Sequence, residues 1–364
     1  MKVMFYSPFA PADAGAASGA SQMAMLLQRA LTLGGASVSC PPLPLTREGS
    51  GDPEQQQRLK VLAEEAGRDL LVQIASGRMQ RPDAWLSYHA YYKSPDWIGP
   101  LVCESLGVPY VIAEGSHAPK RAQGPWQLGH EGTTRALGAA RLLLAMTAFD
   151  RYCLDQVARG RVHDLKPFID AEAWRRPSSA QVFGGRLLSV GMMRDERKLE
   201  SFRLARDVMK ALPARGFTLD IAGDGKHRPA VEALFAHDGL GERVRFHGGL
   251  TPVALRGLMG GSDIFLWPGI GEAYGLTYLE AQASGLPVVA CRNRGVGDVV
   301  LDGETGVLCA PGDVAGLASA VLALAGEPDR WIRMADCAQD FVQAERSLET
   351  ASKRLMELMK AVVT

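Results

Sequence analysis

Short apolar runs alternate with longer stretches of helical periodicity along most of this chain. "KVMFY" (2–6) is apolar on both sides, the pattern of a strand covered on each face. After a glycine- and alanine-rich loop, "SGASQMAMLLQRALTLGG" predicts a helix capped by Ser18 and closed at Gly34-Gly35. "SVSC" predicts a second strand, and residues 54–75 carry helical periodicity. "AWLSYH" (84–89) and "PYVIAE" (109–114) predict short strands with the helix "PDWIGPLVCESLG" between them. "RLLLAM" (141–146) predicts another strand, followed by a helix near 148–158. Strands and helices alternating through short connections imply a doubly wound, parallel α/β layer.

The pattern lapses at "KPFIDAEAWRRPSSAQVFGG" (166–185), whose proline, serine and glycine suit a linker. It restarts with "RLLSVGM" (186–192), "FTLDIAG" (217–223), "RVRFHG" (243–248), "DIFLWP" (263–268) and "LPVVAC" (286–291), each followed by a helical stretch. The fold class expected is therefore α/β, with two consecutive Rossmann-like doubly wound domains, 1–170 and 171–346. The last segment, "SLETASKRLMELMKAVV", predicts a helix with an apolar stripe of Leu355, Met356, Leu358, Met359 and Val362. Such a stripe must be buried, and helix 347–364 is expected to cross back to the first domain.

Size and composition agree with this division. At 364 residues the chain exceeds one ordinary core. Hydrophobic content of 47% and charged content of 22% describe a soluble globular protein, and a formal net charge of +0 gives no case for nucleic acid. Residues 117–176 concentrate arginine (Arg121, Arg135, Arg141, Arg151, Arg159, Arg161, Arg175 and Arg176), read as a solvated helix face or a patch for an anionic acceptor or membrane surface. The six cysteines form no Cys-x-x-Cys pair and suit a reducing cytosol. "MKVMFYSPFAP" lacks the features of a signal peptide, and no apolar run approaches the ~20 residues needed to span a bilayer. The expected location is cytoplasmic, with room for peripheral contact with the membrane.

Ligands of doubly wound sheets bind outside the carboxyl ends of the strands. Candidate residues should therefore follow strands directly, on both domains, around a ligand held in a cleft. After the first strand come Gly15 and Ser18-Gly19; after "PYVIAE", Gly115, Ser116 and His117; after "RLLSVG", Arg194, Arg197 and Lys198; after "FTLDIA", Gly223-Asp224-Gly225. After "DIFLWP" comes "PGIGEAYGLTYLEAQASGLPVVA" (268–290), a glycine loop opening a helix, with Glu272 and Glu280 on either side of Tyr274-Gly275-Leu276. If the helix begins near Ala273 or Tyr274, the amides of 273–276 face an anion, and Glu280 lies two turns in, roughly 12 Å along. Carboxylates repel phosphate but accept strongly from hydroxyls. An anion flanked by two alcohol-binding carboxylates fits a nucleotide-diphosphate sugar.

These residues carry a family resemblance. "GEAYGLTYLEAQASGLPVVA" followed by "RGVGDVVLDGETGVLCAPGD" (294–313) resembles the Glu-x7-Glu region of family 4 retaining glycosyltransferases of the GT-B fold. "VGMMRDERKLESF" (190–202) resembles their donor-phosphate loop, and "LDIAGDG" and "VRFHGGL" match the strands that follow. In the first domain "SGASQMAMLL", "DAWLSYHAYY" and "GVPYVIAEGSHAPKR" resemble the equivalent segments less closely. Departures are Met192, where the family often has arginine, Ala273 for glycine, and Tyr274-Gly275 for Phe-Gly.

The resemblance implies an N-terminal acceptor-side domain and a C-terminal nucleotide-sugar domain facing across a cleft. Glu272 would bind donor sugar hydroxyls and Glu280 the ribose. The diphosphate would rest on the amides of Tyr274, Gly275 and Leu276, with Arg194, in place of the missing arginine, and Lys198. Gly19 would approach from the opposite side, and His117 would lie near the transferred sugar. Gly191, Gly223, Ala273 and His247, the last through its backbone, complete the donor set. His89, Trp97, Lys120, Arg121 and Trp126 are acceptor-side candidates. The function implied is transfer from a UDP- or GDP-linked sugar to a glycan, lipid-linked or small-molecule acceptor, with retention, without metal and without a cofactor.

Plainer readings stand beside these. Gly223-Asp224-Gly225 is also an ordinary strand-to-helix turn. Arg197 reads as a solvated charge, and Trp97 and Trp126 as core. His117, His89 and His130 have readings as loop histidines, while His163, His227 and His237 read as surface. A GT-B-like epimerase and an inactive nucleotide-sugar-binding module remain alternatives. A glycoside hydrolase, which needs carboxyls ~5–9.5 Å apart, fits the helical spacing of Glu272 and Glu280 poorly.

Overall fold

A computed structural model describes all residues except 11–17, 177–181, 195, 237–238 and 364. Gly15 and His237 lie outside the described residues. The chain divides into two units, Met1–Pro167 with Leu348–Thr364, and Phe168–Ser347.

Unit 1 contains β1 (Lys2–Tyr6), β2 (Ser37–Ser39), β3 (Ala84–Tyr88), β4 (Tyr110–Ala113), β5 (Leu142–Ala145) and β6 (Val162–Asp164). The sheet is parallel, in the order β2-β1-β3-β4-β5-β6. Its helices are α1 (Gly19–Leu33), α2 (Pro53–Ala75), α3 (Gly99–Leu106), α4 (Gln127–Ala139) and α5 (Ala148–Ala158). Central strands such as β3 and β4 are buried along their whole length, which parallel sheets require when helices cover both faces. The direction of winding reverses between β1 and β3, so the ligand-binding crevice of this unit belongs at their carboxyl ends.

Unit 2 opens with α6 (Ala171–Trp174) and contains β7 (Arg186–Val190), β8 (Thr218–Ala222), β9 (Val244–Gly248), β10 (Ile264–Leu266), β11 (Val288–Cys291) and β12 (Gly306–Cys309). These strands run parallel in the order β12-β11-β10-β7-β8-β9, the six-stranded Rossmann arrangement, with its reversal between β7 and β10. The Ser189 hydroxyl donates to the Leu266 carbonyl at 2.6 Å and locks that central pair. The helices are α7 (Glu196–Ala211), α8 (Arg228–Ala236), α9 (Pro252–Gly260), α10 (Leu276–Ala283), α11 (Val314–Gly326) and α12 (Pro328–Glu345).

The final helix, α13 (Leu348–Val363), belongs to unit 1, where it packs on α1. Leu355, Met356, Leu358 and Met359 are buried, while Val362 is half-exposed. Ser352 donates to the Ala30 carbonyl at 2.6 Å, and a Cβ at Gly34 would collide with Met356. Ser18 caps α1 as its sequence predicts, accepting from the Ser21 amide at 3.1 Å.

Two strands are absent from the sequence reading. β6 is three residues long with the polar pair His163-Asp164, and β12 begins at a glycine. Both lie at sheet edges, where burial asks least of the sequence pattern. The turn from unit 1 to unit 2 falls at 167–168, and the short α6 occupies part of the stretch read as a linker.

Candidate functional site

The glycine-loop stretch 268–290 begins at the winding reversal of unit 2. Trp267 follows β10 directly, and its indole Nε1 donates to Glu272 Oε1 at 3.1 Å. Lys198, in the first turn of α7, contacts the same carboxylate oxygen through Nζ, which also lies 5.5 Å above the Trp267 ring. Lysine and carboxylate side chains retain only 20% and 15% of their exposure, so the pair is held in a restricted environment rather than on open surface. The loop between them is fixed from below. The Tyr278 hydroxyl donates to the Trp267 carbonyl at 3.0 Å, and the Ile270 amide donates to Ser201 Oγ at 2.9 Å. Burial first, then the nearby Glu272 charge, hold the Tyr278 hydroxyl well above its ordinary value, so it stays a donor. Gly269 has φ 63°, and any side chain there would collide with the Tyr278 hydroxyl.

The helix starts later than its sequence suggests. α10 begins at Leu276, with Gly275 at the N-cap (φ 77°) and no side-chain cap. The first-turn amides are therefore those of Leu276 and Thr277 rather than of Ala273 and Tyr274. Ala273 is exposed, its carbonyl accepting from the Gly295 amide at 2.9 Å, and Tyr274 is buried. The turn at 269–272, closed by the Glu272 amide on the Gly269 carbonyl at 3.1 Å, and the Ala273 contact with Gly295 keep the chain non-helical up to Gly275. Glu280 is consequently one turn inside α10, about 6 Å from its start by helical rise. It is 3% exposed. Glu272 precedes the helix, so the helical-rise argument against a paired-carboxylate hydrolase does not apply; Glu272's engagement with Lys198 and Trp267 is what distinguishes the two acids.

The loops after β7 and β8 pack backbone to backbone. The Met193 amide donates to the Asp224 carbonyl at 2.9 Å, and the His227 amide to the Met193 carbonyl at 2.9 Å. Gly223 (φ 141°) has no room for a side chain, since a Cβ would collide with the Gly191 carbonyl. A Cβ on Gly191 would stand 2.6 Å from the Trp267 ring. Both glycines thus have a packing reason within the protein. Arg194 lies exposed on this loop, and the Arg197 stem lies across Gly271, whose Cβ would be 2.6 Å from Arg197 Cδ. Arg197 itself is exposed, in keeping with a solvated charge, while its stem borders the loop. The His247 ring is turned to Asp220, with Nε2 2.6 Å from Oδ1. His227 Nε2 is 3.9 Å from Glu196.

In unit 1, Gly19 is the first residue of α1, and among the described residues nothing beyond its own helix and chain neighbours lies within 4 Å of where its Cβ would be. His117 follows β4, half-buried, with its ring 5.6 Å from that of His130, which is buried in α4. Burial, then the His130 charge, push His117 below its ordinary 6.5. Folding therefore stabilises the neutral ring, and that stability is lost as pH falls from 6.5 through the lower folded value. The melting temperature should decline over that interval, and His117→Gln should flatten the decline; an unchanged slope in the variant would exclude this histidine as its source.

His89 and Glu114, immediately past β3 and β4, both adopt left-handed backbone, at φ 61° and 55°. His89 Nδ1 lies 3.0 Å from Glu114 Oε1, an electrostatic contact whose direction falls short of a hydrogen bond. Trp97 is withdrawn into the core against Gly132, so it offers no stacking face. Trp126 is only 7% exposed, yet its ring carries Lys93 Nζ at 4.8 Å. The arginine-rich stretch disperses. Arg151 pairs with Asp155 and Asp164, Arg175 with Glu172, and Arg161 donates to the Gly138 and Ala140 carbonyls. Arg135 and Arg141 line a cavity of about 430 Å³ beside Pro109 and Tyr110, at the amino end of β4, where doubly wound sheets do not bind ligands. Sequence reasoning missed Trp267 and Thr277; their positions directly after β10 and at the helix start are the signals that could have found them.

Among the described residues, no group of three or more His, Cys, Asp or Glu side chains could share a metal ion, and no helix is long and apolar enough to cross a membrane.

Residues 184–327 match the model of the family Glycosyl transferases group 1. A 194-residue stretch, 50% of this chain, is 34% identical to glycogen synthase of Mycobacterium tuberculosis, of which it covers 44%. The chain thus spans less than half of that relative. Over 296 residues, 73% of this chain and 67% of the relative, it is 29% identical to D-inositol 3-phosphate glycosyltransferase 2 of Catenulispora acidiphila. The fold matches Anabaena Alr3699/HepE, solved in complex with UDP, with a TM-score of 0.75, 15% identity and coverage of 99% and 100%. The family match falls within unit 2, and the two parallel six-stranded sheets share the fold of solved GT-B glycosyltransferase structures.

Proposed function

We propose that this protein transfers a sugar from a UDP- or GDP-linked donor to a hydroxyl of a glycan, lipid-linked or small-molecule acceptor. The observation that carries this reading is the convergence of Lys198, Trp267 and Glu272 beside the uncapped start of α10, at the winding reversal of unit 2. In this assignment the amides of Leu276 and Thr277, with Lys198 and Arg194, hold the diphosphate. Glu272 accepts from donor sugar hydroxyls, and Glu280 from the ribose. Gly19, with open space above it, admits the donor, and His117 attends the transferred sugar.

As transfer proceeds, the bond from the anomeric carbon to the phosphate oxygen breaks and its electron pair stays on phosphate. The acceptor oxygen bonds to the anomeric carbon and gives up its proton. Charge growing on the departing oxygen is met by fixed cations and a helix dipole, which favour the transition state over the ground state. Retention, with the departing phosphate taking the acceptor proton on one face, and charge compensation by Lys198 and Arg194 in place of a metal or cofactor complete the proposal. None of the six cysteines is disulfide-bonded, which suits the cytoplasmic setting we assign; a lipid-linked acceptor would add peripheral membrane contact.

A thermal-shift panel of UDP, GDP, ADP and their sugars tests this. A ligand present at 100 times its Kd should stabilise the fold by about 2.7 kcal/mol. A shift with one nucleotide family is expected, and its loss in Glu280→Ala. An equal shift in that variant would contradict the ribose assignment. Tight nucleotide binding without donor-dependent release of free UDP or GDP would favour an inactive binding module.

A further inference from the structure

The loops leaving the carboxyl ends of β1, β3 and β4 carry a continuous row of aromatic rings. Centroids are 4.8 Å apart for Phe9 and His89, 5.1 Å for His89 and Tyr91, 5.5 Å for Tyr91 and Tyr92, and 5.3 Å for Tyr92 and Trp126. Three cations rest on this row: Arg47 at 4.6 Å from Phe9, Arg121 at 5.2 Å from Tyr92 and Lys93 at 4.8 Å from Trp126. Lys120 adjoins Arg121 in the short 3₁₀ turn Pro119–Arg121. Stacking on a ring face holds a cation in place without neutralising it, leaving its N–H groups free for another partner.

Among the described residues no carboxylate supplies that partner, and Lys93 Nζ reaches only the Gly49 carbonyl at 3.5 Å. Among the described residues none of these four cations is ion-paired, and Arg121 Nε is buried with no hydrogen-bond partner. Neighbouring carboxylates are committed elsewhere. Glu48 accepts from the amides of Ser50 and Gly51, each at 2.6 Å. Asp52 caps α2 through the Glu54 amide at 2.9 Å, and buried Asp96 caps α3 through the Gly99 amide at 2.8 Å. Glu114 faces His89. Among the described residues the carboxyl edge of unit 1 therefore keeps a positive row with no ion-paired carboxylate, although the chain as a whole is neutral.

We infer that this row binds a phosphate-bearing ligand, and that the acceptor in the proposed transfer carries a phosphate or diphosphate group. The second clause rests on the transfer reading; the first stands on the row alone. Guanidinium groups match phosphate oxygens in a two-pronged geometry, and clustered cations suit a doubly charged group better than a single carboxylate.

The test is calorimetric titration with inorganic pyrophosphate, in the wild type and in Lys198→Ala, which cripples the anion site of unit 2. Binding should persist in Lys198→Ala. It should weaken about tenfold or more when Arg47→Gln and Arg121→Gln are added, and weaken with rising salt. No binding in Lys198→Ala, or no loss on adding the two arginine changes, would overturn the inference. So would arginine-dependent co-sedimentation with phosphatidylglycerol vesicles without pyrophosphate binding, which would make the row a membrane-facing surface. The Arg47→Gln, Arg121→Gln variant should keep the wild-type nucleotide shift, so failure here is separable from failure of the donor reading.

Discussion

Lys198→Ala is expected to lower turnover about 10²–10³-fold, the loss seen when one preorganised charge-stabilising group is removed, or about 2.7–4 kcal/mol. The side chain has three simultaneous relations that no neighbour reproduces. Its Nζ contacts Glu272 Oε1, its charge lies 5.5 Å above Trp267, and it projects from the first turn of α7 beside the loop bearing Arg194. Without it, Glu272 keeps the Trp267 indole as a partner but loses its counter-charge in a site with 15% side-chain exposure. Steady-state rates with the donor identified by thermal shift, compared with Lys198→Arg, would check this. A Lys198→Ala rate within tenfold of wild type would show that leaving-group charge is met elsewhere, and Arg194 would be the next residue to remove.

Gly223→Ala is expected to destabilise unit 2 by roughly 3 kcal/mol, from disallowed backbone and from overpacking that each cost about 1–3 kcal/mol. At φ 141° an alanine is strained whatever space surrounds it, and its methyl would be driven into the Gly191 carbonyl. That carbonyl belongs to peptide backbone, which cannot swing aside as a flexible side chain would. Chemical denaturation of the variant checks the magnitude. The result also separates two explanations of this glycine. If packing of the β7 and β8 loops is the reason, stability falls before any donor is added. If ligand approach is the reason, the unliganded variant should be as stable as wild type and only nucleotide binding should suffer.

The strands that sequence locates best are those buried along their whole length, such as "AWLSY" and "YVIA", because complete burial makes the run nearly all apolar, Ser87 being the exception. The stripe on α13 was legible for the same reason, since a one-sided helix needs a partner surface. What escaped depends on contacts between distant residues. The start of α10 was misplaced by three residues because the turn at 269–272 is set by Tyr278, Ser201 and Asn293 reaching in from elsewhere. Glu272 and Lys198 were each legible from motif spacing, but their direct contact and the Trp267 indole that shares it were not. Nor was the pairing of His89 with Glu114, since positive φ in residues other than glycine leaves no trace in composition. The arginine-rich stretch misled in the opposite direction: density along the chain concealed that Arg151, Arg161 and Arg175 already have partners within the protein.

The return of α13 to α1 makes unit 2 an insertion within unit 1. During synthesis, all of unit 2 is translated before residues 348–363 exist, so the first residues translated wait longest for their final neighbours. Met23, Leu27 and Leu31, wholly buried on α1 in the finished protein, belong to a unit that cannot be sealed at that stage. Completion of unit 1 thus has to wait for the last residues translated, and its amino-terminal part is the one left longest with apolar surface exposed to aggregation.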